Sequence, residues 1–111
     1  MLTHKTVALA LGYTESEIED ARKKKAQWVQ FTTNMNALMK EIKKRKVGFQ
    51  MFSDLDNGEM VFQAHVYSLE FVLGGQVFFG KDECMVLAQA LVSYVKHKAL
   101  EDRKQNNYER R

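Results

Sequence analysis

The chain has 111 residues, 45% of them hydrophobic, and carries 17 lysines and arginines against 14 aspartates and glutamates. This length suits one domain with its own hydrophobic core. The single cysteine, Cys84, excludes an intrachain disulfide and is typical of a reducing compartment, so we expect a cytoplasmic protein. No segment approaches the roughly 20 apolar residues that cross a bilayer, so no membrane partner is expected.

The N-terminal residues 1–31 are predicted to form a helical appendage. An apolar segment, residues 6–11, ends at Gly12, a residue type that commonly follows the last turn of a helix. Thr14-Glu15-Ser16-Glu17 is a capping-box sequence, in which the threonine hydroxyl and the glutamate carboxylate each satisfy a free amide. The helix that begins there either continues to Lys46 or breaks at Thr32-Thr33-Asn34. We favour the break, because these three residues are poor in helix interiors and asparagine is a good N-cap.

Residues 32–100 are predicted to form an α-β-β-β-α domain. A helix with an apolar stripe precedes Val47, where the hydrophobic pattern changes to the alternation of a strand. Asp56-Asn57-Gly58 indicates a tight hairpin, and Gly74-Gly75 indicates a second one. The fold class is therefore α+β, with a three- or four-stranded antiparallel meander sheet packed on helices.

The C-terminal part of the chain is predicted to be a helix followed by a tail. Asp82 and Glu83 suit a helix start, and Cys84, Leu87 and Leu91 begin an apolar stripe, so Cys84 is expected in the core. We place the end of this helix at about Leu100. Residues 101–111 are polar and are expected to fray.

Catalytic and metal-binding patterns are weak throughout the chain. The stretch 54–59 is similar to a calcium loop, but Gly58 falls at its fifth position instead of its sixth. A helix-turn-helix over residues 6–21 would present four carboxylates, which repel phosphates, so we do not expect it to read DNA. The three histidines and Cys84 have no metal-ligand spacing. We therefore expect a non-enzymatic protein without a cofactor or a metal.

Charge is distributed unevenly along the chain. Residues 32–52 hold five cations against Glu41, and Lys43-Lys44-Arg45-Lys46 is the densest cluster. Residues 53–83 hold six acidic residues against Lys81 alone. A basic cluster at a helix end can be a solvated surface favoured by the helix dipole, or it can contact phosphates. Both interpretations remain open at this point.

Residues 33–95 resemble a double-stranded RNA-binding domain in the order of their elements. Met35 to Glu41 is similar to the family's first helix, with Glu41 at the place of the glutamate that touches the RNA minor groove. Phe62-Gln63-Ala64-His65-Val66 is similar to its second strand, and Gly80 to Leu91 to its last helix. The chain departs from the family in its first inter-strand loop, which has neither proline nor histidine. It also has only Lys81 where the family has three lysines.

The resemblance implies that the protein binds structured or double-stranded RNA, in preference to DNA, by shape and by phosphate contacts. The expected nucleic-acid-binding residues come from the two flanking helices and are Lys40, Glu41, Lys43, Lys44, Arg45, Lys46 and Lys81. This function requires the cations of both helices to lie on a common side of the molecule. The alternative is a protein-interaction module, either a homodimer or a small inhibitor of another protein, which would use the aromatic sheet and its open edge.

Overall fold

The computed structural model describes residues 2–69 and 76–109, and the side chains through residue 103. It has the expected α+β architecture, with helices first, then an antiparallel sheet, then a long helix. The elements are α1 (His4–Ala10), α2 (Glu15–Lys23), a 3₁₀ turn (Gln27–Val29), α3 (Met35–Arg45), β1 (Val47–Asp56), β2 (Glu59–Ser68), β3 (Phe78–Gly80) and α4 (Glu83–Glu109). The last helix passes Leu100, where the apolar pattern predicts its end.

The predicted helix caps are present in the N-terminal half. Thr14 accepts a hydrogen bond from the amide of Glu17 at 3.1 Å, and the Glu17 carboxylate accepts one from the amide of Thr14 at 3.0 Å. Asn34 caps α3 by accepting from the amide of Asn36 at 3.0 Å. The break at residues 32–34 is thus confirmed. However, α2 already ends at Lys23, and Lys25 has a left-handed φ of 54°.

The sheet has the order β1-β2-β3, and both pairs are antiparallel. Val47 lies opposite Ser68 and Asp56 lies opposite Glu59, so the pairing of β1 with β2 is continuous over ten residues. The turn between them is Asn57-Gly58, with φ values of 52° and 81°, which confirms the tight hairpin. The predicted hairpin at Gly74-Gly75 and any fourth strand there lie outside the described residues.

One hydrophobic core includes all of the helices. Helix α4 packs against β2 and β3, and α1 and α3 also contact α4. Cys84 is buried, as expected. Val7 and Phe31 are fully buried in the same cluster as Leu87 and Val66, so the N-terminal residues contribute directly to the core of the α-β-β-β-α segment.

The β1–β2 hairpin projects beyond the rest of the molecule. The last residue of β3, Gly80, pairs with Phe62, and α4 begins at Glu83. The hairpin continues past this point, and every residue from Phe52 to Met60 is exposed. Its distal half therefore has no helix on either face.

Candidate interaction surfaces

Four lysines lie exposed around the C-terminal end of α3. Leu38 and Ile42 form the buried stripe of this helix, which directs Lys40, Lys43 and Lys44 towards solvent. Lys46 follows the helix in a left-handed conformation with a φ of 55°, and it is also exposed. We call these four residues the α3 lysine patch; none of them has a carboxylate within ion-pairing distance among the described residues.

Lys44 also contacts the N-terminal half of the chain. Its ammonium group donates a hydrogen bond to the Tyr13 hydroxyl at 3.3 Å and lies 5.3 Å from the centre of that ring. Burial raises the pKa of Tyr13, and the hydrogen bond to Glu41 raises it further, whereas Lys44 acts in the opposite direction. The tyrosine therefore stays protonated and can donate to the carboxylate below it.

Glu41 and Arg45 have structural partners, although the sequence pattern places both of them in the expected RNA site. Glu41 is only 5% exposed and accepts a hydrogen bond from the Tyr13 hydroxyl. The Arg45 Nε atom lies 3.5 Å from the Glu41 carboxylate without forming an aligned hydrogen bond, and its Nη2 group donates to the carbonyl of Leu11. The pair connects α3 to the α1–α2 loop, and the Glu41 side chain is buried against its own chain instead of facing solvent.

Lys81 lies far from the α3 lysine patch. It follows Gly80, which pairs with Phe62, whereas the patch ends next to Val47, which pairs with Ser68. These two positions on β2 are six residues apart, or about 20 Å along the strand. Lys81 also forms an ion pair with Glu59. The structure therefore brings the α3 lysines together but does not bring Lys81 to them.

The face of the sheet opposite α4 presents aromatic side chains. Phe52, Gln63 and Phe79 are directly opposite one another across the three strands, so both phenylalanines lie on this face. Phe52 is 57% exposed and Phe79 is 68% exposed. This face therefore exposes two phenylalanine rings, one on each side of Gln63.

The other face of the projecting hairpin is apolar as well. Leu55 and Met60 are cross-strand partners on the same side as the buried Ala64 and Val66, yet they are 68% and 56% exposed because α4 does not reach them. The distal hairpin thus has exposed apolar side chains on both faces. We call Phe52, Leu55, Met60 and Phe79 the hairpin apolar surface.

Strand β1 forms one edge of the sheet. Among the described residues no other strand pairs with its outer side, and the residues of this edge are exposed or half-buried from Phe49 to Asp56. The edge has charge at both ends, with the α3 lysine patch before Val47 and with Asp54 and Asp56 at the far end. An unpaired strand of this length can accept another strand by backbone hydrogen bonding.

Other kinds of site have little support in the described part of the chain. An open groove of about 740 Å³ lies between α1, β3 and α4, lined by apolar and polar side chains that include Leu2, Phe78 and His97. No cluster of three histidine, cysteine, aspartate or glutamate side chains suited to a metal ion occurs in residues 2–69 and 76–103. Within the described helices, none is both long and apolar enough to span a membrane.

The comparisons with known proteins identify no relative. No family model matches the chain, and neither a curated protein nor a solved structure matches it. The resemblance to a double-stranded RNA-binding domain therefore rests on the order of the elements and on the residues quoted for it.

Proposed function

We propose that this protein is a non-catalytic protein-interaction module whose binding surface is the projecting β1–β2 hairpin. The observation that carries the proposal is the hairpin apolar surface, which covers both faces of the hairpin and Phe79 of the neighbouring β3, together with the unpaired outer edge of β1. Fully burying a side chain of this size contributes up to about 1.5–3 kcal/mol, so covering four of them would favour association. The open edge adds backbone hydrogen bonds, as in strand addition.

A polar variant of the hairpin tests this proposal. We expect Phe52→Thr combined with Leu55→Thr to leave the far-ultraviolet circular dichroism spectrum unchanged, because both side chains are exposed on a strand and threonine favours strands. The variant should lose the proteins that co-purify with the tagged wild-type chain from its own cells. Co-purification is measured by quantitative mass spectrometry, which also detects untagged copies of this chain.

Leu9→Gln is the matched control, because Leu9 is an exposed apolar residue on α1, outside the hairpin. We expect it to retain every partner that the wild-type chain retains. If the hairpin variant keeps the same partners at the same yield, the hairpin is not the binding surface and the proposal is wrong.

Nucleic-acid binding is the second candidate, and the α3 lysine patch specifically favours it. Four exposed lysines within seven residues, without carboxylate partners among the described residues, are suited to phosphate contacts. The surface for this function would consist of the patch alone, without Glu41 and without Lys81. The patch would therefore contact one short stretch of the nucleic-acid backbone, and the binding affinity would depend only weakly on the salt concentration.

A salt titration on double-stranded RNA, single-stranded RNA and DNA tests the second candidate. Each phosphate contact changes the slope of log K against log salt by about 0.7–0.9. We expect Lys43→Glu with Lys44→Glu to abolish binding and Lys81→Glu to leave it unchanged. An equal loss of binding affinity in the double variant and in the Lys81→Glu variant would contradict this assignment. The absence of any binding by the wild-type chain at low salt would also contradict it.

A further inference from the structure

We infer that strand β1 pairs antiparallel with β1 of a second copy, which joins the two three-stranded sheets into one continuous sheet of six strands. The inference rests on the proposed function and names its partner as this chain itself. A two-fold axis near Met51, perpendicular to the sheet, relates the two copies. The contact is closed, because each β1 edge is used once.

The outer edge of β1 has backbone hydrogen-bonding groups that β2 does not use. Asp56 and Glu59 flank a two-residue loop and therefore form a hydrogen-bonded pair. By alternation, the N–H and C=O groups of Met51, Ser53 and Leu55 point away from β2, towards the free edge. Most natural edge strands are short or are interrupted by proline, lysine or a bulge. This strand is ten residues long, contains no proline or lysine, and pairs with β2 without a bulge.

Charge selects the direction of the second strand. The α3 lysine patch precedes the first residue of β1, whereas Asp54 and Asp56 occupy its far end. An antiparallel second copy places the basic end of one chain beside the acidic end of the other, twice in each dimer. A parallel copy would place like charges together, which is unfavourable. With the axis at Met51, Val47 lies across from Leu55 of the second copy, so Lys46, which immediately precedes Val47, lies near Asp56 of the second copy.

The same register also places Leu55 and Phe52 next to side chains of the second copy. Residues directly opposite each other in antiparallel strands lie on the same face of the sheet. Leu55, exposed in the single chain, then lies beside Val47 of the second copy, and Phe52 lies beside Gln50. The dimer therefore covers part of the hairpin apolar surface and gives the acidic end of β1 its oppositely charged neighbours.

Sedimentation equilibrium of the full chain over a range of concentrations provides the first test. We expect a reversible monomer–dimer equilibrium whose dissociation constant rises with salt, because two charged contacts are screened. A chain that remains monomeric at the highest soluble concentration and at low salt overturns the inference. Assemblies larger than a dimer would also overturn it, because the edge pairing is closed.

Charge reversal tests the direction and the register. Lys46→Glu and Asp56→Lys should each raise the dimer dissociation constant about tenfold, because each creates two like-charge contacts in place of two attractive ones. An equimolar mixture of the two variants should form a heterodimer at least about tenfold tighter than either homodimer, because both of its contacts pair opposite charges. Lack of preference for the heterodimer contradicts the antiparallel arrangement.

Blocking the edge tests the backbone contact. Ser53 is exposed and its N–H points outward, so Ser53→Pro removes a donor that the pairing with β2 does not use. We expect the proline variant to be monomeric with an unchanged circular dichroism spectrum, and Ser53→Ala to dimerise like wild type. Dimers of the proline variant at wild-type affinity would overturn the edge contact.

These experiments distinguish a failure of the self-pairing from a failure of the proposed interaction role. If the wild-type chain is monomeric but the hairpin variant still loses a different co-purifying protein, the self-pairing is wrong and the interaction role remains. If the chain is monomeric and the hairpin variant loses nothing, both are wrong.

Discussion

The Tyr13 hydroxyl is a single group that connects the N-terminal helices to α3. It donates to the buried Glu41 carboxylate and accepts from Lys44 at 3.3 Å. Tyr13→Phe leaves the carboxylate without this donor, so we expect a loss of about 1–3 kcal/mol in the free energy of unfolding. This free energy is measured by urea denaturation, with tryptophan fluorescence as the signal. Tyr67→Phe is the control, because no hydrogen bond of that hydroxyl occurs among the described residues, and its expected change is near zero.

Cys84 is a core residue whose thiol we expect to react slowly. Burial raises the pKa of its thiol from 9.0 to about 11, with smaller contributions from Asp82 and Glu83, and the thiol donates to the carbonyl of Phe31 at 3.4 Å. At neutral pH the thiolate fraction is then about a hundredfold lower than in the unfolded chain. We expect Cys84 to react with a thiol reagent at least about a hundredfold more slowly in the folded protein than in urea. Equal rates would show that the thiol is accessible.

The same thiol makes stability depend on pH in the alkaline range. Because the folded-state pKa lies above the unfolded value, the contribution of Cys84 to stability is complete below pH 9.0 and is lost as the pH rises through about 11. Ionisation of Tyr13 changes the stability in the same direction, because the pKa of Tyr13 is also raised from its ordinary value of 10.0. Both groups therefore destabilise the fold at alkaline pH and leave its stability unchanged between pH 6 and pH 8.

The role of a residue could not be predicted from the sequence where it depends on a partner far away along the chain. Glu41 and Arg45 are four residues apart, so their ion pair could be anticipated from helix geometry. Tyr13, however, is 28 residues from Glu41, and only the folding of the α1–α2 loop beside α3 brings them together. Without that partner, the glutamate resembled an exposed RNA contact. The exposure of Lys40, Lys43 and Lys44 could be predicted from the helical period alone, because all three lie outside the apolar stripe of α3.

At the scale of elements, the start of α2 gives a direct test of local stability. Thr14→Ala removes the side-chain acceptor for the Glu17 amide, and we expect it to cost about 1 kcal/mol in the free energy of unfolding. Ser16→Ala, at an exposed helical position two residues further on, should change stability little or raise it slightly. Equal effects of the two substitutions would show that the cap does not stabilise the folded protein.

The acid dependence of this cap has a definite sign. Hydrogen bonds from Thr14 lower the pKa of the Glu17 carboxylate from 4.5. The contribution of the carboxylate to stability is therefore present above pH 4.5 and is lost as the pH falls through the lower folded-state pKa. The Thr14→Ala variant should show a weaker decrease in stability over this acidic range than the wild-type chain.

Elements specified by local chemistry were predictable, whereas elements specified by packing were not. The capping box at Thr14, the cap at Asn34 and the Asn57-Gly58 turn each depend on two to four neighbouring residues, and all three are present. The end of α2 at Lys23 was not expected, because Lys24 and Lys25 carry no local stop signal. The projection of the hairpin could not be predicted either, because it depends on where α4 begins relative to β3.

At the scale of the whole molecule, the charge pattern of the sequence has a spatial counterpart. The basic residues 40–46 lie at one end of the sheet, whereas Asp54, Asp56 and Glu59 lie at the tip of the hairpin. Lys81 belongs to the acidic end, where it pairs with Glu59. The two ends of the β1–β2 hairpin therefore have charges of opposite sign. Such a distribution suits the antiparallel pairing of two β1 edges better than it suits a long RNA duplex, which would need an extended, uniformly basic surface.

At the same scale, we expect folding to require the N-terminal 31 residues, and a chain that starts at residue 32 tests this expectation. These residues supply seven members of the core, including the fully buried Val7 and Phe31. Losing one large buried side chain costs about 2–5 kcal/mol, whereas a whole domain is stable by only about 5–15 kcal/mol. We therefore expect residues 32–111 alone to lack a cooperative thermal transition and to give a poorly dispersed amide NMR spectrum.

A chain that ends at residue 103 is the control and should retain the transition, because the truncation removes only the last turns of α4. A cooperatively folded 32–111 chain would instead make the N-terminal helices an independent addition to an α-β-β-β-α domain.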